Sequence, residues 1–126
     1  MTTNNKDIFK KITSLENEAA TFGFKWEKAS QIMEQIRSEL TEIEAHLEDT
    51  DTKKLQEEVG DLLHATFSLC IFCHLDAEET LSKSIVKFES RFKTVQRLAA
   101  MEGLGDLNNQ SFNKLMALWN KAKEIS

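Results

Sequence analysis

Four acidic side chains stand in two pairs with helical spacing, and both pairs border apolar stripes. Glu39 and Glu42 are three residues apart, and so are Glu58 and Asp61. At 100° per residue, each pair lies on one flank of its helix, so two antiparallel helices would bring the pairs together. Carboxylates that converge at the edge of a core stay ionised only when cations neutralise them. Oxygen ligands of this kind suit Mg²⁺, with Mn²⁺ as a possible substitute.

Surface helices also carry Glu at this spacing for solubility, so one pair alone indicates little. Two pairs on adjacent helices, each beside an apolar stripe, strengthen the case for a metal site, with solvated surface glutamates as the alternative. Lys83, Lys87 and Arg91 recur every fourth residue and form a basic stripe. On spacing alone, that stripe is more typical of surface lysines and arginines that pair with nearby Glu than of a phosphate-binding site.

The elements that must position these residues are predicted to be helices. The chain has 126 residues, no proline and four glycines, and it lacks runs of alternating β-branched residues. This pattern predicts an all-α bundle within one domain that covers residues 1–126. We predict five helices, from about Lys6 to Ala20, Trp26 to Leu47, Lys53 to His74, Ala77 to Met101 and Ser111 to Ile125.

The core of this bundle is predicted to be incomplete in a single chain. The predicted third helix is apolar nearly all round from Leu62, and such a helix must be surrounded. Five helices of this length can hardly enclose it, so we expect a second copy to complete the core as a homodimer, with a higher oligomer as the alternative. On the predicted fourth helix, we expect an inward face made of Leu81, Ile85, Phe88, Phe92 and Val95.

Composition and charge indicate which partners the protein is expected to lack and where in the cell it is expected to be. The net charge of −5 argues against a nucleic-acid-binding surface. No run of eighteen apolar residues is present, so we expect no membrane span. With two cysteines and a polar start, MTTNNKD, a cytoplasmic location is expected.

Several ordered motifs together resemble one enzyme family. FGFKW precedes the first acidic pair, EEVGDLL holds the second, and KFESRF and LWNKAKE follow. In order and spacing, over about residues 20 to 125, they resemble the MazG family of nucleoside triphosphate pyrophosphohydrolases. The resemblance implies an all-α enzyme that uses Mg²⁺ to cut a nucleoside triphosphate into a nucleoside monophosphate and pyrophosphate, as in the removal of unwanted nucleotides.

The resemblance also implies roles for individual residues. The acids at the family's metal-binding and catalytic positions are Glu39, Glu42, Glu58 and Asp61. The family often has Lys at the position of Gln35 and Glu at that of Ser38. The substrate-binding set comprises Gln35, Lys54, Lys87, Arg91, Trp119 and Lys123.

Two other classes of function fit parts of the pattern. A ferritin-like carboxylate bundle would use Asp61 and His64 as an acid and histidine pair. Such bundles place a Glu-x-x-His motif on each of two helices, and this chain has none. A non-catalytic helical dimer that binds a nucleotide or a protein is the second alternative, and the differences from the family at Gln35 and Ser38 keep it open.

Overall fold

The computed structural model describes residues 8–126, and this part of the chain forms five α-helices. No strand occurs within that range, which confirms the all-α prediction. The predicted start of the first helix at Lys6 lies outside the described residues. No helix among the described residues is long and apolar enough to cross a bilayer. In chain order the helices are α1 (Ile8–Phe22), α2 (Ala29–His46), α3 (Lys53–Phe72), α4 (Ala77–Met101) and α5 (Phe112–Ile125).

The beginning of α2 differs from the prediction for a local reason. The helix begins at Ala29 and not near Trp26. The side-chain oxygen Oε1 of Gln31 accepts hydrogen bonds from the backbone N–H groups of Glu27 (2.9 Å) and Lys28 (3.0 Å). A side-chain acceptor at the third helical position satisfies backbone N–H groups at the entrance of the helix, as in one half of a capping box. The aromatic residues that precede it therefore lie in the turn before α2.

The chain divides by its contacts into two compact units, one ending at Thr80 and one running from Leu81 to Ser126. A single domain over the whole chain therefore stays a prediction. In the first unit, α2 packs along α3, and α1 also packs on α3. Ile32 of α2 is fully buried and Ala65 of α3 is nearly so. This packing fixes the two helices that carry the acidic pairs.

A small polar contact attaches α1 to α3 in the first unit. Glu16 Oε1 accepts a hydrogen bond from the buried Ser68 hydroxyl and lies 3.1 Å from His64 Nε2. Beside it, the rings of Phe9 and Phe67 meet edge to face at 5.5 Å. His64 thus has a partner on α1.

The second unit is built from α4 and α5. Val95 and Leu98 of α4 pack with Leu118 and Ala122 of α5, and all four are buried. Trp119 packs partly buried against this cluster. The unit therefore has an apolar core of its own.

The predicted inward face of α4 is only partly correct. Val95 is buried, but the four residues before it in that set are 41 to 58% exposed in this chain, namely Leu81, Ile85, Phe88 and Phe92. Helical periodicity identifies which residues share a face, but it does not identify what covers that face. The prediction is wrong for these four side chains within one chain.

Candidate functional site

Glu39, Glu58 and Asp61 come together where α2 packs on α3. Each offers a carboxylate oxygen, and these oxygens all lie within 4.8 Å of one another. Glu39 and Glu58 are each only 7% exposed, whereas Asp61 is exposed. We call these three residues the carboxylate cluster. Within residues 8–126 no other group of three or more histidine, cysteine or acidic side chains has this spacing.

The local sequence explains why buried acids can occupy this position. Glu39 lies seven residues, or two helical turns, after the fully buried Ile32, so both face α3. On α3, Glu58 and the buried Ala65 have the same two-turn separation. Along the contact between α2 and α3, buried apolar side chains therefore lie two helical turns from the buried carboxylates.

Glu39 has the most unusual environment in the carboxylate cluster. Its Oε1 accepts a hydrogen bond of 2.6 Å from Gln35 Nε2. Its Oε2 is buried and has no hydrogen-bond partner. A buried polar atom left without a partner is costly and calls for an explanation, such as a bound ion.

Burial raises the pKa of the Glu39 carboxyl above its ordinary value, and the neighbouring carboxyl groups of Glu58 and Asp61 raise it further. The hydrogen bond from Gln35 opposes this rise. Two carboxyl groups in such contact must share a proton or a cation, since two bare negative charges would repel. The cluster thus fits a divalent ion, because three hard oxygen donors, one of them without a partner, converge at a partly buried point.

Lys54 lies beside the carboxylate cluster on α3. Its Nζ lies 3.2 Å from Glu58 Oε1 and 3.5 Å from Glu57 Oε2. The hydrogen bond with Glu58 is the main reason that the pKa of Lys54 is raised, and the charges of Glu57 and Glu58 add to it. The lysine side chain is about half exposed, so its ammonium group lies between a cluster ligand and solvent.

The other predicted residues of the first unit are placed differently. Glu42 is exposed on α2 and is not part of the carboxylate cluster. Gln35 is exposed, with its amide on Glu39. His64 contacts Glu16 and is not in the cluster either, so the Asp61–His64 pair of a ferritin-like site is not formed here.

The predicted substrate-binding residues of the second unit form a partly aromatic surface. The Arg91 guanidinium lies 5.9 Å from the centre of the Trp119 ring, a cation–π distance. Phe88 is 5.7 Å from the same ring. Lys87 and Lys123 are exposed.

Two contacts in the first unit were not predicted from the sequence. Gln35 and Glu39 are four residues apart, and so are Lys54 and Glu58. Residues four apart on a helix are neighbours, so the spacing was an available signal. The same spacing is common on exposed helices, and it is the burial of the two glutamates that distinguishes these contacts from ordinary surface pairs.

Comparison with known proteins adds independent information. The model of the MazG nucleotide pyrophosphohydrolase domain family matches residues 27–96, more than half of the chain. That range includes the whole carboxylate cluster.

Three relatives illustrate the likeness. The Thermotoga maritima protein named nucleoside triphosphate pyrophosphohydrolase/pyrophosphatase MazG is 36% identical over 109 residues, which are 86% of this chain and 41% of the relative. The Escherichia coli K12 protein named nucleoside triphosphate pyrophosphohydrolase is 32% identical over 111 residues, 86% of this chain and 42% of its own length. A Bacillus subtilis protein named YabN is 36% identical over 70 residues, 56% of this chain and 14% of YabN. The chain thus spans about two fifths of the length of the first two relatives.

Proposed function

The chain belongs to the MazG nucleotide pyrophosphohydrolase domain family, and from this we propose that it hydrolyses nucleoside triphosphates to nucleoside monophosphates and pyrophosphate. Water is added across the anhydride bond between the α- and β-phosphates. One P–O bond of that anhydride is broken, and the hydroxyl and the proton of the water are divided between the two products. The observation that carries the proposal is the carboxylate cluster, in which Glu39 and Glu58 are buried and within reach of Asp61. The two relatives named as triphosphate pyrophosphohydrolases support it.

In this proposal the carboxylate cluster holds Mg²⁺, with Mn²⁺ as a substitute. The fit rests on the oxygen-only donor set and on the unpartnered Glu39 Oε2. A bound divalent ion supplies charge neutralisation for the phosphates and a lower pKa for a water molecule. Glu42, which is exposed on α2, joins this set by its motif position. One of the four carboxylates accepts the proton of the attacking water.

Phosphoryl chemistry depends on positive groups that hold and orient the phosphates. We assign this role to Lys54, whose ammonium group is already beside Glu58, and by motif position to Lys87, Arg91 and Lys123. Trp119 is assigned to contact with the nucleoside. Gln35 completes the proposed substrate-binding set.

We further propose that the active form is a homodimer in the cytoplasm. Support for the dimer comes from α4, where Ile85, Phe88 and Phe92 leave apolar surface exposed in the single chain. Contiguous exposed apolar surface usually marks an interface. A tetramer built from such dimers is the alternative assembly.

A substrate panel with product identification tests the function. Ribo- and deoxyribonucleoside triphosphates are incubated with the protein and Mg²⁺, and ³¹P NMR identifies the products. We expect pyrophosphate with the monophosphate, and a loss of at least 100-fold in Glu58→Gln and Asp61→Asn, as for removal of a metal ligand. Calorimetry that finds nucleotide binding without any turnover would replace this function with the non-catalytic alternative.

A further inference from the structure

Gln35 contacts the carboxylate cluster in a way that the motif match does not describe. Its amide nitrogen Nε2 donates a hydrogen bond of 2.6 Å to Oε1 of Glu39, one helical turn later on α2. The other oxygen of the same carboxylate, Oε2, is buried without a partner. The two oxygens of Glu39 are therefore not equivalent.

This contact restricts the orientation of the Glu39 carboxylate. A glutamate side chain has a freely rotating terminal group, and a donor fixed to one oxygen selects one orientation of that group. With Oε1 held by Gln35, Oε2 is the oxygen with its lone pairs unused. Outer partners of this type orient metal-binding side chains in other proteins.

The chemistry of an amide suits this role. Gln35 donates a hydrogen bond but carries no charge, so it orients the carboxylate without neutralising it. A cationic donor at the same place would compete with a metal ion for the negative charge. Gln35 itself is exposed, and a single glutamine–glutamate pair on a helix contributes little to folding.

We propose that Gln35 is a positioning residue that turns Glu39 so that Oε2, together with oxygens of Glu58 and Asp61, binds the divalent ion. This inference rests on the proposed function, since that function supplies the ion. It assigns Gln35 a role towards the metal in addition to its predicted role towards the substrate. The role is specific to the Gln35–Glu39 contact of this chain.

The test measures Mn²⁺ binding to the nucleotide-free protein by electron paramagnetic resonance. Gln35→Met keeps the length of the side chain and removes the donor. We expect its Kd for Mn²⁺ to rise about tenfold or more, the range for losing an outer partner of a metal ligand. The matched control is Gln96→Met, which makes the same change at an exposed position of α4, and it should bind Mn²⁺ like the wild type.

A second variant separates the hydrogen bond from helix stability. Gln35→Ala also lacks the donor, but alanine is the better helix former. We expect the same loss of affinity, with an unchanged circular dichroism spectrum. In both variants, excess Mn²⁺ should still saturate the site, because the site is weakened and not destroyed.

Each outcome decides between two claims. A wild-type protein that binds Mn²⁺ and a Gln35→Met variant with a Kd within twofold of it would overturn the positioning role alone. A wild-type protein that binds no Mn²⁺ would overturn the proposed metal site, and this inference with it.

Discussion

The ammonium group of Lys54 lies 3.2 Å from a carboxylate oxygen of Glu58, so one cation already neutralises part of the carboxylate cluster from its exposed side. Half-exposed ion pairs of this kind contribute little to stability. The position is nevertheless where a phosphate held by a metal at Glu58 would meet a positive charge. We therefore propose that Lys54 links the proposed metal site to the substrate.

Replacing Lys54 by Met should affect substrate binding and metal binding differently. We expect KM for the nucleoside triphosphate to rise about tenfold or more, the range for a lost hydrogen bond to a charged group. The Kd for Mn²⁺ without nucleotide should stay equal or fall, because a competing cation has been removed. Steady-state kinetics and a Mn²⁺ titration on the same preparations measure both values. Weaker Mn²⁺ binding with an unchanged KM would contradict this role.

The raised pKa of Glu39 predicts that the metal-free protein loses folding stability as the pH rises. A carboxyl whose pKa is higher in the folded chain favours folding most below the ordinary value near 4.5, and this contribution is lost as pH rises through the raised value. Glu39→Gln cannot ionise. The Tm of Glu39→Gln should therefore exceed that of the metal-free wild type by a margin that grows as the pH rises above about 4.5. At neutral pH we expect a difference of a few degrees, which corresponds to about 1 kcal/mol.

Metal ions should reverse this order of stability. Mg²⁺ binds the ionised carboxylate and competes with its proton, so wild-type affinity should increase with pH over the same window. Added Mg²⁺ should raise the Tm of the wild type and leave that of Glu39→Gln nearly unchanged. Thermal melts from pH 4 to 8, with and without Mg²⁺, provide the measurement. A Glu39→Gln variant less stable than the metal-free wild type at neutral pH would show that the buried charge is satisfied without a metal.

The positions of these acids could be predicted from the sequence, whereas their unequal environments could not. Spacing of three residues beside apolar stripes identified both acidic pairs, since helical geometry fixes which side chains share a flank. It gave no reason to separate Glu42, which is exposed, from Glu39, which is buried. That difference depends on how α2 rotates against α3, which is a property of the packed pair.

The predicted helix ends agree with the structure at some positions and differ from it at others. The bounds of α4, Ala77–Met101, agree with the prediction. A local signal ends this helix, because Gly103 adopts a positive φ of 77° that favours glycine. The start of α2 was predicted near Trp26, whereas the Gln31 side chain accepts hydrogen bonds just before the actual start at Ala29.

Gly60 lies inside α3 between two residues of the carboxylate cluster, and a methyl group there would contact nothing within 4 Å in this chain. Glycine in a helix interior costs about 0.5–1 kcal/mol relative to alanine. We expect Gly60→Ala to raise the free energy of unfolding by about that amount in a urea titration. A destabilised dimer, or an activity lost despite higher stability, would show that a second chain or the substrate occupies this space.

The exposed face of α4 predicts a self-association that one substitution should break. Ile85 is 58% exposed in the single chain, so Ile85→Asp should leave the fold of the chain intact. If a second copy covers this face, the buried charge should weaken the dimer by at least about 100-fold in Kd. Analytical ultracentrifugation measures the mass, with Gln96→Asp as the control on the same helix. A wild type that stays monomeric at high concentration would exclude the dimer.

The central claim is that Glu39, Glu58 and Asp61 together hold the divalent ion used for hydrolysis of a nucleoside triphosphate. A crystal structure with Mn²⁺ and a non-hydrolysable triphosphate analogue, with anomalous diffraction to locate the metal, tests it most directly. We predict an anomalous peak about 2.0–2.3 Å from oxygens of all three residues, at the distances typical of hard cations, with the triphosphate bound to the same ion. Mn²⁺ found at other residues, with these three carboxylates unoccupied, would contradict the account.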